Sequence, residues 1–426
     1  MEGGGKMSAH WEYLIILYHC GVRGIAPPEP PEGLDWEALV ALADRQAITP
    51  VVFNALRKSD SVPEQLRQSM HMTALELSLQ NRRRQEAALD VLQQLRDAGL
   101  TAAVLKGMSV ARYFAAPETR ICADTDILIA PEKEQEAVAL FGRLGFTVEP
   151  REDGLHHFRA SHPTAGLFEV HVRLWESEAT FAFGNGEYPL DSVVLSEASQ
   201  FGRSFFVLPP ADALQYLCLH RIKHFYQREE GLRNAYDAAL FFAENRGSID
   251  YQAFWNDLRK WNADIYFNTL LSVFVRTGCF REDDFPGMTL QDEEKCSLFS
   301  SDMEKYSIGT PLPPFADRDA WINYTRTQAE SLGGSIKESF DSRRSSRKRA
   351  LLFPTADQLS VNYPALRKCR LLYPVFWTHR CVSCILSKER RKTLRYLWPS
   401  RKNLASVKAK SGTRTALMQE LGFFRE

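Results

Sequence analysis

The chain has 426 residues, a length that predicts two or three domains. Its apolar content of 44% and charged content of 25% are ordinary for a soluble globular protein. No apolar run reaches the ~18–20 residues that a membrane-spanning helix needs, so the sequence predicts no such helix.

The formal net charge is zero, so the protein as a whole has no electrostatic preference for a polyanion. The charge is unevenly distributed, however. Residues 337–426 contain 21 basic and 6 acidic residues, which leaves 32 basic and 47 acidic residues in positions 1–336. The basic tail is therefore a separate electrostatic unit, and the acidic remainder argues against a long nucleic-acid substrate.

Eight cysteines are scattered along the chain, and the N-terminus lacks the basic and apolar regions of a secretory signal. Scattered cysteines in a chain of this size are typical of reduced thiols. We therefore expect a cytoplasmic protein.

The first 99 residues predict a helical region. Helices are expected at 8–20, 36–45 with Asp35 as N-cap, 51–56 and 63–98. The last of these contains Arg82-Arg83-Arg84, which is either a solvated helix face or a collector of phosphate.

Residues 100–208 have a different pattern and predict an α+β core with a small mixed sheet. Strands are expected at 101–105, 122–129 and 146–148, and 157–160 and 167–174 predict a hairpin. Helices are expected at 108–115 and 132–144.

Residues 209–335 predict a C-terminal helical domain, with helices at 211–227, 232–245, 251–261, 265–276 and 318–331. Residues 336–426 form the basic tail. Its apolar stretch with basic flanks can dock on the acidic body of this protein, on an anionic membrane surface, on nucleic acid or on an acidic partner.

Two acids of the second predicted strand form the candidate site. Asp124 and Asp126 are two positions apart, so their side chains share one face of the strand. Adjacent carboxylates repel unless a cation lies between them, and Mg²⁺ prefers such oxygen ligands. Glu169 lies between apolar neighbours in a later strand and can be a third ligand, with ions roughly 4 Å apart in a two-metal arrangement. Glu169 could also help deprotonate an attacking hydroxyl.

Phosphate contacts are predicted beside these acids. Gly107 follows a strand and opens a helix, where free backbone N–H groups favour an anion. Lys106 adds a positive charge, and Ser109 and Arg120 are further candidates for phosphate binding.

The ordered combination of these motifs resembles the nucleotidyltransferase superfamily of DNA polymerase β. More closely, residues 10–245 look like the bacterial family described as uncharacterised nucleotidyltransferase. This resemblance implies an enzyme that depends on an NTP and Mg²⁺, or on Mn²⁺ in its place. The motifs that carry it are Leu105-Lys106-Gly107, Arg120, Asp124-x-Asp126 and Glu169-Val170-His171.

The turn departs from the superfamily pattern, which usually has Gly-Gly or Gly-Ser where this chain has Gly107-Met108-Ser109. Nucleotidyl and phosphoryl transfer therefore both stay open. The acceptor also stays open between a small molecule, a sugar, a peptide or protein hydroxyl and a nucleic-acid end. A second hypothesis is a non-catalytic member of the fold that binds a partner or acts as a scaffold.

Three further motifs have alternative explanations. His171 can contact substrate, support Glu169 or belong to the core. His220 and His224 share a helix face and are expected to pack or bond to Asp237, to face substrate, or to bind metal. Cys381 and Cys384 form a lone C-x-x-C, which favours incidental thiols over a zinc site.

Overall fold

A computed structural model describes residues 7–149, 151, 156–175, 188–227, 231–305, 372–378, 417 and 420–423. Residues 1–310 and 421–425 belong to one compact unit, which contains every element below. The predicted helix at 318–331, the C-x-x-C motif and most of the basic tail lie outside the described residues.

A seven-stranded mixed sheet lies at the centre of this unit and confirms the predicted α+β class. Its strand order is β3-β4-β5-β2-β1-β7-β6. The pairs β2–β5 and β1–β7 are parallel, and the other neighbours are antiparallel. The strands are β1 (Ala102–Val104), β2 (Asp124–Ile129), β3 (Thr147–Glu149), β4 (His157–His162), β5 (Gly166–His171), β6 (Ser196–Gln200) and β7 (Arg203–Val207).

The last two strands were not predicted from the sequence. They form a hairpin whose two turn residues, Phe201 and Gly202, both have positive φ, at 50° and 73°. Positive φ at both positions is the geometry of a type I′ turn, which usually has Asn-Gly or Asp-Gly. A phenylalanine in the first position hides that signal.

Helices precede, interrupt and follow the sheet. The prediction was exact for α2 and α8, but α5 is shorter than expected and α11 was missed. Among the described residues, no helix has both the length and the apolarity needed to cross a bilayer. The helices are α1 (Ala9–Arg23), α2 (Trp36–Arg45), α3 (Thr49–Leu56), α4 (Glu64–Asp97), α5 (Met108–Ala111), α6 (Glu134–Arg143), α7 (Pro210–Gln227), α8 (Leu232–Asn245), α9 (Tyr251–Lys260), α10 (Asp264–Arg276) and α11 (Glu293–Lys305).

Helices α4 and α6 cover one face of the sheet with a hydrophobic core. In β2, Ile127 and Ile129 belong to this core, and in β5 Phe168 and Val170 do. Side chains alternate along a strand, so the residues between these positions point to the opposite face. The core therefore fixes the face on which the acids of β2 and β5 lie.

The loop that leads into β2 is held from two sides. Asn81 of α4 donates to the carbonyls of Glu118 and Arg120, at 2.8 Å each, and accepts from the Cys122 N–H at 3.0 Å. The buried Arg120 guanidinium forms an ion pair with the buried carboxylate of Asp237 in α8. These bonds fix the starting point of β2, and hence the position of Asp124.

We expect Asp237→Asn to lower the free energy of unfolding by about 3–5 kcal/mol, because it leaves the buried Arg120 charge without its partner. The loss is measured by chemical denaturation. Asp257→Asn, which breaks the exposed pair of Asp257 with Lys260 in α9, is the matched control and should have a much smaller effect. Equal losses of unfolding free energy in the two variants would contradict a stabilising role of the Arg120–Asp237 ion pair.

Candidate functional site

The register of three neighbouring strands brings acids and bases to one face of the sheet. Asp126 of β2 lies opposite Glu169 of β5, which lies opposite Arg159 of β4. His171 lies opposite His157 in the same antiparallel pair. Cross-strand partners point to the same side of a sheet, so these five side chains form one polar surface.

Lys106 bridges the two aspartates at the edge of this surface. Its Nζ lies 2.9 Å from Asp126 Oδ2 and 3.4 Å from Asp124 Oδ2. The preceding residue, Leu105, donates its N–H to the Asp126 carbonyl at 3.0 Å. Gly107 follows with φ 68° and ψ −98°, a conformation that residues with a Cβ rarely adopt. The turn is thus fixed beside Asp126.

Asp126 is a buried carboxylate that stays ionised. Only 2% of the residue is exposed, and this burial alone would raise its pKa. The charge of Lys106 and the contact from His171, whose Nε2 lies 3.2 Å from Asp126 Oδ1, outweigh burial and hold the pKa of Asp126 below its usual range. The Lys106 ammonium is stabilised in turn. Burial alone would lower the pKa of Lys106, but the charges of Asp126 and Asp124 raise it above its usual value.

Asp124 has the opposite tendency. Burial and the neighbouring charge of Asp126 raise the pKa of Asp124, and Lys106 only partly offsets them. The two carboxylates therefore differ in proton affinity although they lie on the same strand face. A divalent cation at this position would relieve the repulsion that raises the pKa of Asp124.

Glu169 points away from the core, as its apolar neighbours predicted. Its side chain is 17% exposed, and Oε1 lies 3.1 Å from Arg159 Nη2 and 3.6 Å from His157 Nε2. Glu169 is therefore accessible from the polar surface and is partly neutralised by bases of β4.

The donor set at this surface fits a divalent cation. Asp126, Glu169 and His171 each offer one ligand atom, and these atoms all lie within 4.8 Å of one another. Two of the three donors are carboxylate oxygens, which Mg²⁺ and Mn²⁺ prefer. Asp124, the third predicted metal ligand, is not part of this group, although it lies on the same face of β2 as Asp126 and contacts Lys106.

Two predicted phosphate contacts are buried and already bonded within the protein. Ser109 is 1% exposed, and its hydroxyl donates to the Leu105 carbonyl at 3.4 Å. Arg120 is 5% exposed and is bonded to Asp237. Their role in phosphate binding stays a prediction, and it would require both side chains to leave these partners. Of the candidate phosphate contacts, Lys106 and Gly107 are adjacent to the acids.

Two other motifs have structural explanations. Arg82 forms an exposed pair with Glu86 at 3.0 Å, and its guanidinium lies over the Phe201 ring, as expected of a solvated helix face. The Asp237 carboxylate that was expected to meet the histidines of α7 accepts bonds from Arg120.

Three bases beside these acids were not identified from the sequence as site residues: His156, His157 and Arg159. The predicted turn near residue 163 could have identified them, because it sets the register of the hairpin. In that register residue 162 pairs with residue 166, and residue 157 pairs with residue 171. That register places two bases of β4 opposite Glu169 and His171.

Comparison with known proteins agrees with this geometry. The profile of a family described as "Uncharacterised nucleotidyltransferase" matches residues 32–273, which is more than half of the chain and includes all seven strands. Comparisons with curated proteins and with solved structures gave no match.

We expect Lys106→Met to lower the free energy of unfolding by about 3–5 kcal/mol near pH 7 in chelator-treated buffer. In the wild type, the pKa of Asp126 is lower in the folded than in the unfolded state, where it is about 3.9. Ionised Asp126 therefore stabilises the fold above that pH, and this contribution is lost as the pH falls. Without Lys106, burial raises the carboxyl pKa values, so the variant loses stability as the pH rises.

The difference between wild type and Lys106→Met should therefore widen from about pH 4 to about pH 7 in chemical denaturation. The control is Lys133→Met, which removes an exposed partner of Glu136 and should give a small difference across this range. A Lys106→Met difference that does not change with pH would rule out the charge pairing as its cause.

Proposed function

Because the chain belongs to the uncharacterised nucleotidyltransferase family, we propose that it transfers a nucleoside monophosphate from an NTP to a hydroxyl of a small molecule or peptide. The reaction uses Mg²⁺, or Mn²⁺ in its place, with Asp124, Asp126 and Glu169 as ligands. The observation that carries this proposal is the meeting of Asp126 and Glu169 on adjacent parallel strands beside Lys106.

In this reaction the acceptor oxygen forms a bond to the α-phosphorus, and the bond from that phosphorus to the bridging oxygen of pyrophosphate breaks. Asp124, Asp126 and Glu169 would hold a divalent cation, which would supply positive charge to the phosphate oxygens and orient them for in-line attack. Glu169 or a water that it polarises accepts the proton of the acceptor hydroxyl. Arg159, 3.1 Å from Glu169, holds that carboxylate in place.

Lys106 acts on the phosphates. Its flexible stem carries three N–H donors, and it adjoins Gly107, where the backbone can approach an anion closely. With a cation on the carboxylates, the Lys106 ammonium would be free to leave Asp124 and Asp126 and bind the triphosphate. His171 keeps Asp126 oriented through its 3.2 Å contact.

We place this activity in the cytoplasm, with reduced thiols. The cysteines in the described part of the chain are buried free thiols, which supports that compartment: Cys20, Cys122, Cys218, Cys279 and Cys296. The basic tail is a contact for an acidic protein or a membrane surface, and a long nucleic acid is not the acceptor.

A second candidate function is binding without catalysis. The Lys106 ammonium already lies between the two aspartates, at the distance of an ion pair from each. A protein that keeps this cation permanently would need no metal there. In that case Mg-NTP would not bind, and the acids would serve the stability of the fold.

Thermal shift separates the two functions. We expect at least one Mg-NTP to raise the Tm of the wild type, because a ligand that binds the folded state stabilises that state. Asp126→Asn should abolish the Mg-dependent part of the shift, whereas Asp257→Asn in α9 should keep it. A wild type with no Mg-dependent shift for any of ATP, GTP, CTP and UTP would exclude the enzymatic proposal.

The transferred group is identified with labelled nucleotide. Incubation with α-³²P-NTP and a cell extract as the source of acceptors should label a product, and γ-³²P-NTP should not. Label from the γ position alone would show phosphoryl transfer instead. Glu169→Gln should abolish labelling, whereas Glu136→Gln on α6, which is exposed beside Lys133, should retain it.

A further inference from the structure

We propose that His156, His157 and His171 bind one transition-metal ion of the zinc class. His156 and His157 are not among the donors of the carboxylate site for Mg²⁺, whereas His171 adjoins both sites. The histidine site does not depend on nucleotide transfer, so each proposal can fail without the other.

The three imidazoles are close enough to share an ion. One ring nitrogen from each lies within 4.8 Å of one nitrogen of each of the other two. His156 Nε2 and His157 Nδ1 are already 3.3 Å apart. Tetrahedral zinc with Zn–N bonds of 2.0–2.1 Å holds its ligand nitrogens about 3.4 Å apart. The three nitrogens, which lie within 4.8 Å of one another, must therefore draw closer to share a zinc ion.

The second nitrogen of two rings faces a carboxylate. His171 Nε2 lies 3.2 Å from Asp126 Oδ1, and His157 Nε2 lies 3.6 Å from Glu169 Oε1. Histidines that bind metal usually donate their other ring N–H to a carboxylate, which fixes the tautomer and makes the ligand nitrogen more basic. With the proton on Nε2, each of these two rings would present the lone pair of its Nδ1 to the ion.

His171 supplies an independent indication that a ligand is needed. The residue is 2% exposed, and within the described part of the chain its buried Nδ1 has no hydrogen-bond partner. A buried polar atom without a partner is destabilising, and such atoms are rare in native proteins. A metal ion bonded to Nδ1 would satisfy it.

The ligand chemistry selects the class of metal. Neutral imidazole suits zinc, copper, iron and nickel, whereas Mg²⁺ prefers oxygen donors and keeps much of its water. Three imidazoles without a directly coordinated carboxylate therefore form a poor Mg²⁺ site and a good zinc site. Three histidines also leave a fourth position of a tetrahedral ion for water or a substrate atom.

The site would stabilise the acids beside it. A bound cation makes the remote N–H of each ligand a stronger donor, which tightens the contacts of His171 with Asp126 and of His157 with Glu169. The ion would thus lock strands β4 and β5 against β2 at the point where the carboxylates meet.

The test uses the full chain, stripped with a chelator and free of nucleotide and Mg²⁺. We expect equilibrium dialysis with Zn²⁺ to give one bound equivalent, and Co²⁺ to give the intense visible absorption of tetrahedral nitrogen coordination. His157→Gln and His156→Gln should each weaken Zn²⁺ binding by at least about 100-fold, since the loss of an outer partner alone costs 10- to 100-fold.

The matched control is His71→Gln, which removes an exposed histidine of α4 that stacks on Phe53, and it should keep the full equivalent. Glu169→Gln should keep one equivalent but weaken it about 10- to 100-fold, as expected for an outer partner. Circular dichroism of each variant establishes that it is folded.

A stripped wild type that binds no Zn²⁺, or binds Co²⁺ without the tetrahedral spectrum, would overturn the proposal without reference to any variant. Retention of the full affinity in folded His156→Gln and His157→Gln would also overturn it, as would an equal loss in His71→Gln.

Discussion

A single buried charge, the carboxylate of Asp126, determines most of the local arrangement. A carboxylate that is 2% exposed is tolerated only when cations and hydrogen bonds replace its lost hydration. Lys106 approaches one oxygen at 2.9 Å and His171 the other at 3.2 Å. The turn after β1 and the register of β5 each bring one of these bases to Asp126.

The rest of the fold holds the strands that carry these groups. The core under α4 and α6 prevents β2 and β5 from slipping by one residue, which would move Asp126 and Glu169 into the apolar face. The loop before β2 is held by Asn81 and by the Arg120–Asp237 pair. The charged surface is thus supported by the apolar core on the opposite face of the sheet and by the buried polar contacts of Asn81 and Arg120 at the start of β2.

The part of the site that obeys local rules could be predicted from the sequence. The two-residue period of a strand placed Asp124 and Asp126 together, and the apolar neighbours of Glu169 indicated its direction. The contacts that join distant segments could not be predicted. Arg120 and Asp237 are 117 residues apart in sequence, and nothing local shows that their charges meet in the interior. The hairpin of β6 and β7 was missed because Phe201 occupies a turn position that usually shows asparagine or aspartate.

On the polar face, Asp126 lies between Lys106 on one side and His171 on the other. One Asp126 oxygen faces Lys106 and the other faces His171, so whatever binds on either side changes the charge that the carboxylate presents to the other. A divalent cation that displaces Lys106 increases the positive charge near Asp126. The attraction between Asp126 and His171 then becomes weaker. A cation on the imidazoles strengthens the His171 donor and makes Asp126 a weaker ligand. The same residue therefore couples the two sides electrostatically, and the sign of that coupling is negative for two cations of like charge.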